Sequence, residues 1–315
     1  MDNLTLELDE LTVTTPPRPI LKWVGGKTQI LSQVLERFPK TIKDYHEPFV
    51  GGGSVLLGLL HSVEKGDIKM TGKIYAYDLN EALVNMYKNI QTRHSDLYTE
   101  IQRFCKEYND CETDTTRTLN RKPSTIDEAK LNKENYYYWS RTRYNQIQDK
   151  DSIECSALFV FLNKTCFRGV YRVGPNGFNV PYGNYVNPRV IDRDHLERVS
   201  KLLRNVTFKC QDFKETLTKT KFSKRDFVYL DPPYVPENLT SFVKYNKSGF
   251  DLSAHESLFK AIRVLPCKFV MSNSNTPLVL EEFSQERFRI DEIIAKRSIN
   301  STNPGKKITE VFVST

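Results

Sequence analysis

The chain has 315 residues, 39% hydrophobic and 27% charged, a balance that supplies a core and excludes wholesale disorder. Its 46 Lys and Arg against 39 Asp and Glu leave a formal charge of +7, a mild inclination toward a polyanionic partner. No apolar run approaches the roughly 20 residues that span a bilayer, and residues 1–10 are acidic, without the basic start and apolar middle of a signal peptide. An intracellular, soluble protein with no membrane partner is expected. The six cysteines form no C-x-x-C pair and the histidines do not cluster near them, which favours scattered reduced thiols over a disulfide framework or a zinc site.

In chain order, residues 1–18 are acidic and Thr-rich, end beside Pro19, and read as a flexible leader. A strand over Tyr45–Phe49 runs into Gly51-Gly52-Gly53 and then the apolar Val55-Leu56-Leu57: strand, glycine turn, helix. A second strand, Lys73–Asp78, ends on a carboxylate. Residues 82–110 and 134–163 read as helical, and the polar stretch from Cys111 to Glu134 between them reads as a surface loop. Strands resume at Val206–Cys210, Phe227–Leu230, Lys268–Met271, Ile290–Ile294 and Glu310–Ser314, with helical segments between several of them. This alternation predicts a Rossmann-like, doubly wound seven-stranded α/β sheet. The helical interruption predicts an inserted domain over 82–201, leaving 19–81 and 202–315 to build the sheet domain.

Two motifs carry chemistry. The first is Glu47-Pro48-Phe49-Val50-Gly51-Gly52-Gly53-Ser54, where glycines between strand and helix let backbone approach a ligand. Alone they would serve a structural turn equally well. With Asp78 ending the next strand, where an acid can accept hydrogen bonds from a ribose, they point to an adenosine-containing cofactor. The second is Asp231-Pro232-Pro233-Tyr234, directly after an apolar strand. Two prolines cannot continue a sheet ladder, so the chain leaves rigidly with an acid at the strand end and a ring three residues on. A strand terminator with a surface tyrosine would have the same composition.

Several of these motifs together resemble the Dam-type, D12-class DNA adenine-N6 methyltransferases. The resemblance runs over Leu21-Lys22-Trp23-Val24-Gly25-Gly26-Lys27, Phe49-Val50-Gly51-Gly52-Gly53, Gly177-Phe178-Asn179-Val180-Pro181-Tyr182-Gly183, Asp231-Pro232-Pro233-Tyr234, Ser272-Asn273-Ser274 and Lys296-Arg297-Ser298-Ile299, in the family's order, from about residue 20 to the end. It implies S-adenosylmethionine as methyl donor, S-adenosylhomocysteine as product, no metal, and double-stranded DNA as partner. It also implies roles. Trp23, Lys27, Pro48, Phe49, Gly51, Gly53, Asp78, Asp212, Phe213 and Asp231 would line the cofactor site, Asp78 at the ribose and Phe213 beside the adenine. Asp231, Pro232, Pro233 and Tyr234 would form the catalytic motif. There the Asp231 carboxylate and the Pro232 carbonyl would accept the two hydrogens of the target amine, and Tyr234 would stack on a base flipped out of the duplex.

Residues 155–191 contain Lys164, Arg168, Arg172 and Arg189 and no Asp or Glu, interleaved with aromatic residues. Val173–Phe178 reads as a hairpin, because Pro and Asn-Gly make turns. A basic aromatic hairpin suits a DNA groove, although an ordinary solvated hairpin would look similar. The resemblance implies that Arg172 reads the first guanine of a GATC site, Phe167 inserts between bases, Pro181 meets a thymine methyl and Lys22 lies near the outer base pair; Lys164, Arg168 and Asn179 complete the expected DNA face. Arg168 stands where the family often has Asn, and the 111–134 segment is longer than usual. Lys296, Arg297, Lys306 and Lys307 flank a Ser/Asn-rich loop read as phosphate contacts or a lid. The alternatives are an RNA adenine methyltransferase, an enzyme for another DNA site, and a catalytically silent DNA-binding protein of the same fold. A cognate restriction endonuclease is a further possible partner.

Overall fold

The computed structural model describes residues 15–112, 119–236, 250–296 and 307–315. The leader assigned to residues 1–18 lies outside the described residues except for its last four positions. The 3-10 turn Thr28–Ile30 leads into helix α1 (Leu31–Leu35). Strands β1 (Thr41–Ile42) and β3 (Lys69–Met70) form a small parallel pair beside the main sheet.

The main sheet has seven strands: β2 (Tyr45–Glu47), β4 (Ile74–Asp78), β7 (Val206–Cys210), β8 (Phe227–Leu230), β9 (Lys268–Ser274), β10 (Arg289–Lys296) and β11 (Lys307–Ser314). Their order is β10-β11-β9-β8-β2-β4-β7, parallel except where β11 runs antiparallel between β10 and β9. This is the expected doubly wound α/β fold. All four residues of β8 are buried, as expected of a central parallel strand covered on both faces. The chain proceeds from β2 to β4 to β7 in one direction, then returns to place β8 on the other side of β2. The switch point therefore lies between β2 and β8, and open α/β sheets bind ligands outside the carboxyl ends of strands at such a point.

Helix α2 (Ser54–Glu64) follows the glycine turn and is buried from Ser54 to His61. Helix α3 (Glu81–Asn109) starts at Asn80, whose side chain accepts from the Leu83 N–H at 3.2 Å. It kinks at Arg93, where φ is −140°. Helices α5 (Lys133–Gln146) and α6 (Ile153–Thr165) pack beside it, α6 with every residue from Cys155 to Asn163 buried. The expected single helix over 134–163 is thus two. Ser152 caps α6 by accepting from the Cys155 N–H, so a new helix starts where a continuous one was read.

The 111–134 segment is not simply a surface loop. It contains helix α4 (Ile126–Lys130), whose Ala129 is fully buried, and Cys111 is buried as well. Helix α7 (Arg193–Leu203) returns the chain to β7 and packs on α3. Helices α8 (Phe213–Lys219), α9 (Leu252–Arg263) and α10 (Pro277–Glu282) complete the layers around the sheet. No helix among the described residues is long and apolar enough to cross a membrane.

Candidate active site

The glycine turn sits at the carboxyl end of β2. Gly51 and Gly53 have φ of +47° and +74°, a region that costs a side-chain-bearing residue roughly 1–2 kcal/mol. Space excludes side chains too: a Cβ on Gly51 would lie 2.9 Å from Trp23 Nε1, and one on Gly53 2.7 Å from the Tyr87 hydroxyl. That hydroxyl donates to the Gly51 carbonyl at 2.9 Å. Asp78, at the end of β4, accepts from the backbone N–H of Gly51 (3.1 Å) and of Asn80 (2.9 Å). Burial holds its carboxyl above the usual carboxylate range, with these N–H donors opposing. The turn and the acid are thus one unit.

Next to it lies an aromatic trio. Phe49 and Phe213 have ring centroids 5.4 Å apart, and Phe250 lies 6.1 and 5.4 Å from them. Pro48 is buried under the turn. Asp212 is the N-cap of α8 and accepts from the Lys214 N–H at 2.7 Å, which aims Phe213 at Phe49.

Asp231 leaves the end of β8 directly across the switch point. Its Oδ2 accepts from Lys27 Nζ at 2.7 Å, and its Oδ1 from Ser272 Oγ at 3.0 Å. Ser272 stands on β9, directly after Met271, the ladder partner of Leu230, and its hydroxyl contacts the Tyr229 hydroxyl at 3.1 Å. A carboxylate only accepts, so Ser272 donates to Asp231 and receives from Tyr229. Lys27 is 5% exposed and also donates to the Gly25 carbonyl at 2.6 Å. Its ammonium sits 5.1 Å from the centroid of the Tyr234 ring. Tyr234 donates its hydroxyl to Glu310 Oε2 at 2.9 Å. Pro232 is buried and Pro233 exposed.

Trp23 links this cleft to the helical region. It lies over Gly51 on one side and stacks on Tyr171 at 5.7 Å and 21° on the other. Tyr171 in turn stacks on Phe178 at 5.6 Å. The segment before Trp23 is clamped by Asn163, which accepts from the Lys22 N–H and donates to the Lys22 carbonyl, both at 2.8 Å.

Of the residues expected to read DNA, Lys22, Phe167, Arg168, Arg172, Asn179 and Pro181 are exposed. A hairpin of β5 (Val173–Gly174) and β6 (Gly177–Phe178) is present as expected. Exposed Arg172 donates from Nε to Asn179 Oδ1 at 2.6 Å and from Nη2 to the Asn179 carbonyl at 3.2 Å. Phe167 is 48% exposed, and its N–H donates to the carbonyl of exposed Pro181 at 2.8 Å. Arg168 has φ of +56°, lies with its guanidinium over the Phe167 ring, and donates its N–H to the Tyr185 hydroxyl at 3.0 Å. The Lys22 ammonium lies over the Tyr185 ring at 4.6 Å. Lys164 is half-buried; burial, aided by Lys22, pulls its pKa down to about 8. Of the C-terminal basic loop, Arg297 and Lys306 lie outside the described residues.

Thus Lys27, Asp231, Tyr234, Trp23, Gly51 and Asp78 converge around the switch point, Phe49 and Phe213 pair beside it, and the pairs Arg172–Asn179, Arg168–Phe167 and Lys22–Tyr185 form among the residues around the hairpin. Sequence reasoning passed over four residues. Asn163 is a polar residue at the end of the apolar run of α6. Glu47 was quoted within the glycine motif without a role. It is fully buried, and its Oε2 accepts from the Tyr45 hydroxyl at 2.7 Å. Burial raises its pKa to about 8; the nearby negative charge of Asp231 adds to this and the Tyr45 bond opposes it. Tyr171 carries the stack to Trp23, and Glu310 is a charge directly before the apolar run Val311-Phe312-Val313.

This arrangement can present a fixed carboxylate and a ring beside a glycine-lined cradle. The cradle fits an adenosine-containing methyl donor: glycines that exclude any Cβ, an acid at the end of the second strand, and an aromatic trio beside them. These are the features of a nucleotide-cofactor-dependent group-transfer enzyme. Residues 23–299 match the family model described as D12 class N6 adenine-specific DNA methyltransferase. Over 303 residues, 92% of this chain and 95% of the relative, the sequence is 39% identical to the type II methyltransferase M.MjaIII of Methanocaldococcus jannaschii. It is 30% identical to the type II methyltransferase M1.LlaDCHI of Lactococcus lactis, covering 94% of this chain and 95% of that one. It is 29% identical to the DNA adenine methylase of Haemophilus influenzae, covering 92% and 90%. The chain belongs to the D12 class of N6 adenine-specific DNA methyltransferases.

Proposed function

We propose that this enzyme transfers the methyl group of S-adenosylmethionine to the N6 of an adenine flipped out of a short palindromic duplex site, GATC. The observation that carries the reading is Asp231, fixed by Lys27 and Ser272 at the end of β8 across the switch point from the glycine turn. Trp23, Lys27, Pro48, Phe49, Gly51, Gly53, Asp78, Asp212 and Phe213 would hold the cofactor, which when bound supplies an electrophilic methyl group.

Exocyclic N6 is a poor nucleophile because its lone pair is delocalised into the ring. The carboxylate of Asp231 accepts one N6 hydrogen and the Pro232 carbonyl the other. Both acceptors are set before the reaction, so little reorganisation remains at the moment of transfer. The proton released by N6 passes toward the Asp231 carboxylate. Removing the base from the duplex costs about a few kcal/mol, offset in part by stacking on Tyr234 worth roughly 1–3 kcal/mol.

In the same reading, residues 19–81 and 202–315 form the catalytic domain, and 82–201 the recognition insert. Lys22, Lys164, Phe167, Arg168, Arg172, Asn179 and Pro181 face the DNA, with Arg172 exchanging Asn179 for a guanine edge. The protein works inside the cell as a soluble enzyme. The type II names of two relatives support a cognate restriction endonuclease as partner.

The test is incubation of adenine-methylation-free genomic DNA with the enzyme and S-adenosylmethionine, followed by modification-sensitive sequencing. N6-methyladenine confined to GATC is the expected outcome. Another short motif would overturn the reading of the hairpin while leaving the chemistry. No modified DNA, with RNA also unmodified, would favour the silent DNA-binding alternative.

A further inference from the structure

The two prolines fix the backbone between Asp231 and Tyr234 but leave the tyrosine side chain free to turn. The next two strands beyond β8 in the sheet, β9 and β11, remove that freedom. Glu310 on β11 pairs in register with Ser274 on β9, and Val311 with Asn273. Directly after Tyr234, the Val235 N–H donates to Asn273 Oδ1 at 3.0 Å, and Ser274 Oγ donates to the Val235 carbonyl at 2.5 Å. Asn273 and Ser274 are both buried. The tip of the ring is held by the 2.9 Å bond to Glu310, and the Lys27 ammonium that binds Asp231 also lies over the ring.

We propose that Glu310 is a positioning residue for methyl transfer: by holding the Tyr234 hydroxyl it sets the plane of the ring against which the target base stacks, relative to the Asp231 carboxylate. The proposal rests on the reading of Tyr234 as the stacking ring. An ionised acceptor makes such a bond roughly twice as strong as a neutral one. Glu310 is half-buried, between exposed Thr309 and the fully buried run Val311, Phe312 and Val313, so its carboxylate stands at the edge of the apolar interior where the Tyr234 hydroxyl reaches it. A ring ordered beforehand adds no side-chain ordering cost when the base arrives.

The test is single-turnover methylation of adenine-methylation-free genomic DNA with radiolabelled S-adenosylmethionine at saturating enzyme, with cofactor and DNA affinities measured separately. The variants are Tyr234→Phe, Glu310→Ala, Glu310→Gln and the double Tyr234→Phe/Glu310→Ala. Tyr234→Phe and Glu310→Ala are each expected to slow transfer by about 10- to 100-fold, as misplacement of a reacting group does, with both affinities unchanged. Glu310→Gln, which keeps an acceptor, should recover most of the rate. The double variant should be no slower than the worse single one, because both remove the same bond. Transfer by Tyr234→Phe at the full rate, multiplying losses in the double variant, or a loss confined to cofactor affinity would each overturn the proposal. Should Glu310→Ala fail to fold, Tyr234→Phe and Glu310→Gln still decide it. A wild-type protein that methylates no adenine would instead bring down the reading of the site itself.

Discussion

At the carboxyl ends of β2 and β8, functional side chains point inward and share partners; on the hairpin face they point outward and pair with each other. Asp231 is held from two sides, by a lysine that is 5% exposed and by a serine on the next strand. Asp78 is satisfied by two backbone donors of the turn it supports. Arg172, by contrast, spends its hydrogen bonds on Asn179 in full contact with solvent. The first region is built before any substrate arrives. In the proposed reading, the second holds Arg172 in a local pair that an incoming base edge can replace at small net cost, since one hydrogen bond is exchanged for another. A reaction centre gains from fixed acceptors; a reading face needs groups that stay ordered when free and can still change partner.

The largest expected effect breaks the first region at its centre. Asp231→Ala should reduce methyl transfer by at least about 10²–10³-fold, the scale of losing one preorganised polar group, while DNA affinity is largely kept. Retained turnover in a transfer assay would refute the role of the carboxylate.

The next concerns pH. Unfolded, the Glu47 carboxyl has an ordinary value near 4.5; in the fold burial raises it to about 8. Between those values the folded protein binds a proton that the unfolded chain does not. This contribution is therefore full below pH 4.5 and is lost as pH rises toward 8, with a slope of at most about 1.4 kcal/mol per pH unit. Glu47→Gln, which cannot titrate and still accepts from Tyr45, should give a flatter curve of unfolding free energy against pH. Parallel curves would show that Glu47 does not titrate in this window.

Smaller effects sharpen the second region. Arg172→Ala should lower discrimination at one base of the site by about 1–3 kcal/mol, read as relaxed sequence preference. Equal loss of affinity on every sequence would mark Arg172 as a phosphate contact instead. Gly53→Ala should cost roughly 1–2 kcal/mol of stability, because φ is +74° there, and displace the Tyr87 hydroxyl. Thermal unfolding at the wild-type midpoint would contradict that account.

The same contrast explains what the sequence allowed to be read. β8 is legible because four consecutive buried residues end in Asp-Pro-Pro, and α2 because apolar residues follow glycines directly. Both are local signals. The break between α5 and α6 also had a local signal, Ser152 as a cap, hidden by the length of the helical pattern around it. The helix α4 was hidden by composition: its burial rests mainly on Ala129, a single small residue in a polar run. What could not be read were long-range pairings. Asn163 clamps Lys22 across 141 positions, Lys27 reaches Asp231 across 204, and Tyr234 reaches Glu310 across 76. No periodicity or spacing encodes such contacts; they exist only once the sheet, the helices and the segment before α1 are brought together.

The most direct measurement of the central claim is nucleoside analysis of unmethylated duplex DNA after incubation with S-adenosylmethionine and either the wild-type enzyme or Asp231→Ala. The account predicts N6-methyladenine as the sole new nucleoside with the wild type, and none with the variant. N4-methylcytosine, or equal N6-methyladenine from both proteins, would contradict it.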